Sequence, residues 1–142
     1  MLPVAPIRVL VVEDFEQWRS LICSLLGERE EFHLVGEVAD GLEAVRKAKE
    51  LQPQLILLNI CLPDLNGIEA ARCIRHVAPG SKILFISMDN GADVVEAALA
   101  SGANGYLAKS DVGSEFWTAI EAVLQGKKFV SSSIARSLSV AA

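Results

Sequence analysis

The sequence has no apolar run long enough to span a bilayer, no paired-cysteine motif and no extended basic cluster. Its apolar runs fall short of the ~20 residues that a membrane helix needs. Cys23, Cys61 and Cys73 are odd in number and lack C-x-x-C spacing, which indicates free thiols in a reducing compartment. The net charge of -5 argues against direct DNA binding. The first residues lack the pattern of a signal peptide, so we expect a cytoplasmic location.

The remaining features predict one globular α/β domain. The chain has 142 residues, of which 51% are hydrophobic and 22% charged, and this length suffices for a single core. Five strand-like runs, of which the second is more polar than the others, alternate with five segments of helical periodicity. The runs are residues 7–12, 32–38, 55–58, 82–86 and 105–108. Strands separated by helices of this length predict βαβ units and a parallel sheet.

Polar side chains follow these predicted strands at their carboxyl ends, where ligands bind in open α/β sheets. The first strand is followed by Glu13 and Asp14, the third by Asn59, the fourth by Ser87 and the fifth by Lys109. Adjacent carboxylates suit a hard cation such as Mg²⁺, while a hydroxyl and an ammonium suit phosphoryl oxygens. Singly, each has a simpler explanation, such as a helix N-cap for Asp14. Together they predict one phosphoryl-handling pocket.

The segments at these strand ends resemble the receiver domains of bacterial two-component response regulators. The matching segments are VVED at 11–14, LLNICLPDLNG at 57–67, IS at 86–87 and GYLAKS at 105–110. The resemblance covers about residues 6–126, and residues 102–130 are most similar to receivers that precede a helix-turn-helix output domain. It implies a flavodoxin-like, doubly wound (βα)5 fold with five parallel strands in the order 2-1-3-4-5. It also implies a receiver domain over residues 1–128, followed by a tail or linker start over 129–142.

The same resemblance assigns the metal and phosphate chemistry to particular residues. The expected ligands of a weakly bound Mg²⁺ are Glu13, Asp14, Asn59 and the carbonyl oxygen of Cys61. Lys109 matches the lysine that contacts the phosphoryl group. In the family, a carboxylate at the position of Asn59 attacks phosphorus while the metal ion and lysine neutralise the developing charge.

Asn59 is the main departure from the family, because an aspartate is expected there. Its amide has nearly the shape of a carboxylate but is a very poor nucleophile, so we expect no phosphorylation and no enzyme activity. Two origins remain open: an engineered substitution in a phosphorelay receiver, or a natural pseudo-receiver that acts through protein–protein contacts. The resemblance implies as partners a sensor histidine kinase or a phosphotransfer protein, and allows a homodimer.

The resemblance also predicts a conformational switch. Ser87 matches the hydroxyl that follows the phosphoryl group on activation, and Tyr106 matches the aromatic residue that turns inward behind it. A ligand shifts such an equilibrium only through different affinities for the two states. Without a phosphoryl group near Asn59, we therefore expect an outward-facing Tyr106.

Alternatives remain for the C-terminal part of the chain and for the function of a domain with this topology. The absence of an output domain fits either a receiver cut from a longer protein or a stand-alone receiver. Residues 131–138 predict either a helix capped by serine or a frayed terminus, and we favour the frayed terminus. A nucleotide-binding domain of similar topology is disfavoured, because Glu13 and Asp14 stand where a Gly-rich phosphate loop would follow the first strand.

Overall fold

A computed structural model describes residues 6–141, with side chains described as far as Leu138; most of the N-terminal segment without a signal-peptide pattern lies outside this range. The strands are β1 (Ile7–Val12), β2 (Phe32–Val38), β3 (Leu55–Leu58), β4 (Lys82–Ser87), β5 (Gly105–Ala108) and β6 (Phe129–Val130). The helices are α1 (Glu16–Leu26), α2 (Gly41–Leu51), α3 (Gly67–Val77), α4 (Ala92–Ala100), α5 (Val112–Leu124) and α6 (Ser132–Ala141). A 3-10 turn over Lys109–Asp111 joins β5 to α5. No helix within the described range is long and apolar enough to cross a membrane.

The strands form one parallel sheet in the order β2-β1-β3-β4-β5-β6. The predicted α/β class is confirmed, and the first five strands lie in the predicted order 2-1-3-4-5. The predicted count of five is wrong, because Phe129 and Val130 add a sixth strand opposite Gly105 and Tyr106. Two residues are too few to display the alternation by which a strand is recognised in a sequence.

Successive residues of each strand face opposite helical layers, as the period of two requires. One layer contains α2, α3, α4 and α6, and its core includes Leu10, Val12, Ile56, Leu58, Ile83, Phe85, Tyr106 and Ile134. The other contains α1 and α5, and its core includes Val9, Val11, Leu55, Leu57, Leu84, Ile86 and Leu107. The strands are covered on both faces, which explains why β1 and β3 are almost continuously apolar.

The C-terminal segment is ordered through its described part, so the preferred prediction of a frayed terminus is wrong. Ser131 is fully buried, and its hydroxyl accepts a hydrogen bond of 2.9 Å from Ala108 N. Helix α6 begins at Ser132, and Ile134 is fully buried in the core. The helical alternative is therefore the one observed. A domain boundary at residue 128 stays a prediction.

Candidate functional site

The carboxyl ends of four neighbouring strands bring the predicted pocket residues to one edge of the sheet. Leu58, the last residue of β3, pairs with Val12 at the end of β1 and with Phe85 near the end of β4. The residue after it, Asn59, donates its backbone N–H to the carbonyl of Val12 at 3.0 Å. This register places Asn59 beside Glu13, the residue that follows β1.

The side-chain amide of Asn59 lies among three oxygen atoms. Its Nδ2 is 3.1 Å from Glu13 Oε2, 3.3 Å from Asp14 Oδ1 and 3.3 Å from the carbonyl oxygen of Cys61. Its Oδ1 accepts a hydrogen bond of 2.9 Å from Ile60 N. The opposite orientation would place the amide oxygen against three acceptors, so the partners fix which atom is the nitrogen. The amide thus supplies the hydrogen-bond donor that these oxygens share.

Lys109 joins the same network through Glu13. Its Nζ lies 2.6 Å from Glu13 Oε1, and the two side chains are only 4% and 1% exposed. The other carboxylate oxygen, Oε2, accepts hydrogen bonds from Asn59 and from Phe15 N at 3.1 Å. Glu13 therefore holds a buried ammonium and the Asn59 amide at once. A buried pair of this kind is costly to break from one side, because a single charge is left unpaired.

Trp18 forms part of the pocket wall, a role that the sequence did not reveal. Its ring lies beneath Lys109, with Nζ 5.0 Å from the ring centroid, within the range of a cation–π contact. The rest of its side chain packs, partly buried, against the core layer of α1 and α5. The sequence signal that could have indicated this role is the position of Trp18 in the first turn of α1, shortly after Glu13.

Ser87 and Tyr106 form a second network through Asp89. Asp89 N donates a hydrogen bond of 3.1 Å to Ser87 Oγ, and the Tyr106 hydroxyl donates one of 2.7 Å to the Asp89 carbonyl. Tyr106 is fully buried, and this burial raises the pKa of its hydroxyl to about 12. The expected outward-facing Tyr106 is therefore wrong. The prediction counted only a phosphoryl group as a source of inward stabilisation and missed both the Asp89 carbonyl and packing against Phe85.

The rim of the pocket requires a glycine at position 67. A Cβ there would lie 2.0 Å from the backbone oxygen of Asn59, far inside van der Waals contact. The backbone N–H of Gly67 donates instead to the Ile60 carbonyl at 2.7 Å. The start of α3 is thereby held against the turn that carries Asn59, and Asn66 caps the helix by accepting a bond from Glu69 N.

The donor atoms fit a hard cation only in part. Glu13 and Asp14 supply carboxylates and Cys61 a carbonyl oxygen, which are suitable ligands for Mg²⁺. Asn59 faces them with N–H groups and would have to rotate its amide to offer an oxygen. Among the described residues, no group of three or more His, Cys, Asp and Glu side chains is arranged to hold a metal ion. A metal ion here would compete with the three hydrogen bonds of the amide.

Comparison with known proteins finds response regulators and their receiver domain. The family model of the response regulator receiver domain matches residues 9–121. The response regulator GacA of Pseudomonas viridiflava is 31% identical over 94% of this chain and 63% of its own length. The response regulator protein VraR of Staphylococcus epidermidis is 35% identical over 85% of this chain and 58% of its own length. The chain thus spans about 60% of the length of these curated relatives.

A crystal structure of a LuxR-family two-component response regulator from Aurantimonas superposes with a TM-score of 0.82. It is 34% identical in sequence, and the match covers 93% of this chain and 94% of that one. The match extends beyond the pocket to nearly the whole fold. The chain belongs to the response regulator receiver domain family.

Proposed function

We propose that this receiver domain signals without an aspartyl phosphate and acts through protein–protein contacts. The observation that carries the proposal is the Asn59 amide, whose Nδ2 lies 3.1–3.3 Å from the oxygens of Glu13, Asp14 and Cys61. It supplies the hydrogen-bond donor that those oxygens need, which removes the requirement for a cation between them. The buried Tyr106 supports the same conclusion, because its hydrogen bond to the Asp89 carbonyl and its packing against Phe85 stabilise the inward ring from within the chain.

Phosphoryl transfer to this pocket would need an anionic oxygen at position 59. A carboxylate can attack phosphorus and keep the phosphoryl group as an acyl phosphate, whereas the amide oxygen of Asn59 is neutral and its nitrogen lone pair is delocalised. Lys109 remains in place but is already paired with Glu13. We accordingly propose that the chain is not an enzyme and accepts no phosphate.

Receiver domains generally bind Mg²⁺ at the acidic site, and we propose that this one binds it weakly. When bound, the ion would neutralise charge at Glu13 and Asp14, with the carbonyl of Cys61 and the amide oxygen of Asn59 completing the donor set. Binding would cost the hydrogen bonds that Nδ2 now makes. The ion is therefore dispensable for holding these residues together.

The family's partners remain the expected partners of this chain. We propose that the chain is cytoplasmic and that a sensor histidine kinase or phosphotransfer protein docks at the pocket edge but transfers nothing to Asn59. A homodimer is the alternative assembly, and we propose no direct contact with DNA or membrane. The net charge of -5 favours protein partners over nucleic acid.

A second candidate function is a phosphorelay receiver whose active form carries aspartate at position 59. The retained Glu13–Lys109 pair and the hydroxyl of Ser87 favour it, because both groups have phosphoryl chemistry in the family. In that case Asn59 would silence an otherwise complete site.

Incubation with acetyl phosphate and Mg²⁺, followed by intact mass, tests the proposal. We expect no added phosphoryl group on this chain and one on Asn59→Asp. The state of Tyr106 separates the two candidates: the proposed function requires a buried Tyr106 in the untreated chain. A phosphoryl group on the Asn59 chain, or a solvent-exposed Tyr106 before treatment, would overturn the proposal.

A further inference from the structure

The C-terminal segment, residues 129–138, lies directly against the strand that carries Tyr106. Val130 pairs with Tyr106 across the β5–β6 ladder, and Ser131 N donates to the Tyr106 carbonyl at 3.0 Å. The hydroxyl of Ser131 accepts from Ala108 N at 2.9 Å. The segment therefore closes the backbone edge of β5 on both sides of Tyr106.

Helix α6 is anchored to the turn that carries Lys109. Asp111 accepts hydrogen bonds at Oδ2 from Ser133 N at 3.0 Å and from Ser133 Oγ at 2.6 Å. The adjacent Ser132 donates N–H and hydroxyl to the Glu115 carboxylate at 3.0–3.2 Å. Two carboxylates thus cap the first turn of α6, where its free N–H groups and dipole favour negative charge.

The apolar face of α6 packs on the layer that contains Tyr106. Ile134 is fully buried in the same core cluster as Tyr106 and α4, and Leu138 packs partly buried against it. Val130 also packs against this cluster. Because partners in a parallel pair point to the same face, Val130 lies on the face of the sheet that carries the Tyr106 ring, and Ile134 belongs to the core layer on that face.

We propose that the C-terminal segment is the intramolecular ligand of the α4–β5 face, and that its docking holds Tyr106 in the buried position. The proposal rests on the proposed function in one respect, namely that no phosphoryl group is needed to hold Tyr106 in the buried position. Docking and an outward ring compete for the space beside β5, so each state of Tyr106 has a different affinity for the segment. Undocking of α6 then exposes the α4–β5 face to a partner and, at the same time, allows Tyr106 to turn toward solvent.

The single tyrosine of the chain makes the test direct. In the full chain labelled with 3-fluorotyrosine, one ¹⁹F resonance reports Tyr106, and amide exchange of residues 132–138 reports α6. We expect Ile134→Ala to undock α6 and raise the exposed Tyr106 population by about tenfold or more. In the unlabelled chain, the pKa of Tyr106, followed by ultraviolet absorbance, should fall from about 12 toward its ordinary value.

Ile120→Ala is the matched control, because Ile120 is equally buried but lies in the core layer of α1 and α5. It should lower stability while leaving the Tyr106 resonance unchanged. If Ile134→Ala keeps α6 docked, Ile134→Asp replaces it, since a carboxylate at this buried site is incompatible with docking.

Three outcomes overturn the inference: Tyr106 stays buried after α6 has undocked, Ile120→Ala exposes it equally, or Ile134→Asp unfolds the whole domain instead of releasing α6. The acetyl phosphate experiment on the same variants keeps the two proposals separate. A phosphoryl group on Asn59 chains would sink the proposed function, whereas a buried Tyr106 beside a released α6 would sink this inference alone.

Discussion

Three oxygen atoms around Asn59 would repel one another if no cation or proton donor lay between them. Glu13 and Asp14 follow β1 in sequence, and the Cys61 carbonyl faces them from the turn after β3. The Asn59 amide satisfies all three without adding charge. Under the proposed function, residue 59 decides whether the pocket depends on an ion, in addition to whether it can accept phosphate.

Asn59→Asp should make stability depend on Mg²⁺. The substitution puts a third carboxylate beside Glu13 and Asp14 and removes the donor, so we expect a loss of about 1–3 kcal/mol without metal. Millimolar Mg²⁺ should restore much of that loss, because the ion binds the folded state alone. Thermal unfolding of both chains with EDTA or Mg²⁺ measures this. A chain with Asn59 that gains more from Mg²⁺ than Asn59→Asp would contradict it.

The Glu13–Lys109 pair should behave as one unit. Lys109→Met alone leaves a buried carboxylate unpaired, and we expect a loss of about 3–5 kcal/mol in the free energy of unfolding. Adding Glu13→Gln removes that charge, so the double variant should be more stable than Lys109→Met. Urea unfolding of the two single variants and the double variant gives the coupling energy. Additive losses would show that the two side chains do not support each other.

The sequence predicted where the pocket residues lie in the fold, but it did not predict the conformation of Tyr106. Glu13, Asp14, Asn59 and Lys109 follow apolar runs, so their place at strand ends could be predicted from periodicity alone. The burial of Tyr106 could not be predicted, because its hydroxyl donates to the carbonyl of Asp89, a backbone atom in a loop whose conformation no side-chain pattern encodes.

At the scale of elements, β6 and α6 show where periodicity stops being informative. The other strands and helices repeat apolar residues often enough to be read from the sequence. Helix α6 relies on Ile134 and on serine hydrogen bonds to Asp111 and Glu115, residues that lie near in space but far along the chain. A serine-rich segment of this kind has the composition of a linker, and only its tertiary contacts make it a helix of the domain.

Acid should loosen α6 before it unfolds the domain. Burial raises the pKa of Asp111, but hydrogen bonds from Ser133 and Ser131 outweigh it and leave the pKa below its ordinary value. A depressed pKa means that the contribution to docking is present above about pH 4 and is lost as pH falls through the folded pKa. Amide exchange across residues 132–138 at decreasing pH measures this.

Asp111→Asn is the control for the acid effect, because its amide cannot titrate. Exchange in α6 should be faster in this variant at neutral pH, and should change less with acid than in the parent chain. If Asp111→Asn at neutral pH leaves the exchange of α6 as slow as in the parent chain, the Asp111 carboxylate does not anchor the helix.

At the scale of the whole molecule, the sheet links the pocket and the C-terminal segment through a single strand. β5 leads into Lys109 at its carboxyl end, carries Tyr106 in its middle, and pairs with β6 along its edge. A change in the pocket could therefore reach α6 through β5. In this chain the Asn59 amide and docked α6 hold both ends, so the fold is expected to respond little to phosphoryl mimics.

Beryllofluoride tests that expectation across the whole chain. With Mg²⁺ it mimics a phosphoryl group on a carboxylate, and Asn59 offers none, so the amide NMR spectrum of this chain should remain unchanged. In Asn59→Asp, resonances of Ser87 and Lys109 should shift as the ligand binds. Tyr106 should shift little even there, because docked α6 already keeps it buried. Large changes at Tyr106 and α4 in Asn59→Asp would show instead that the pocket, and not the C-terminal segment, sets the position of the ring.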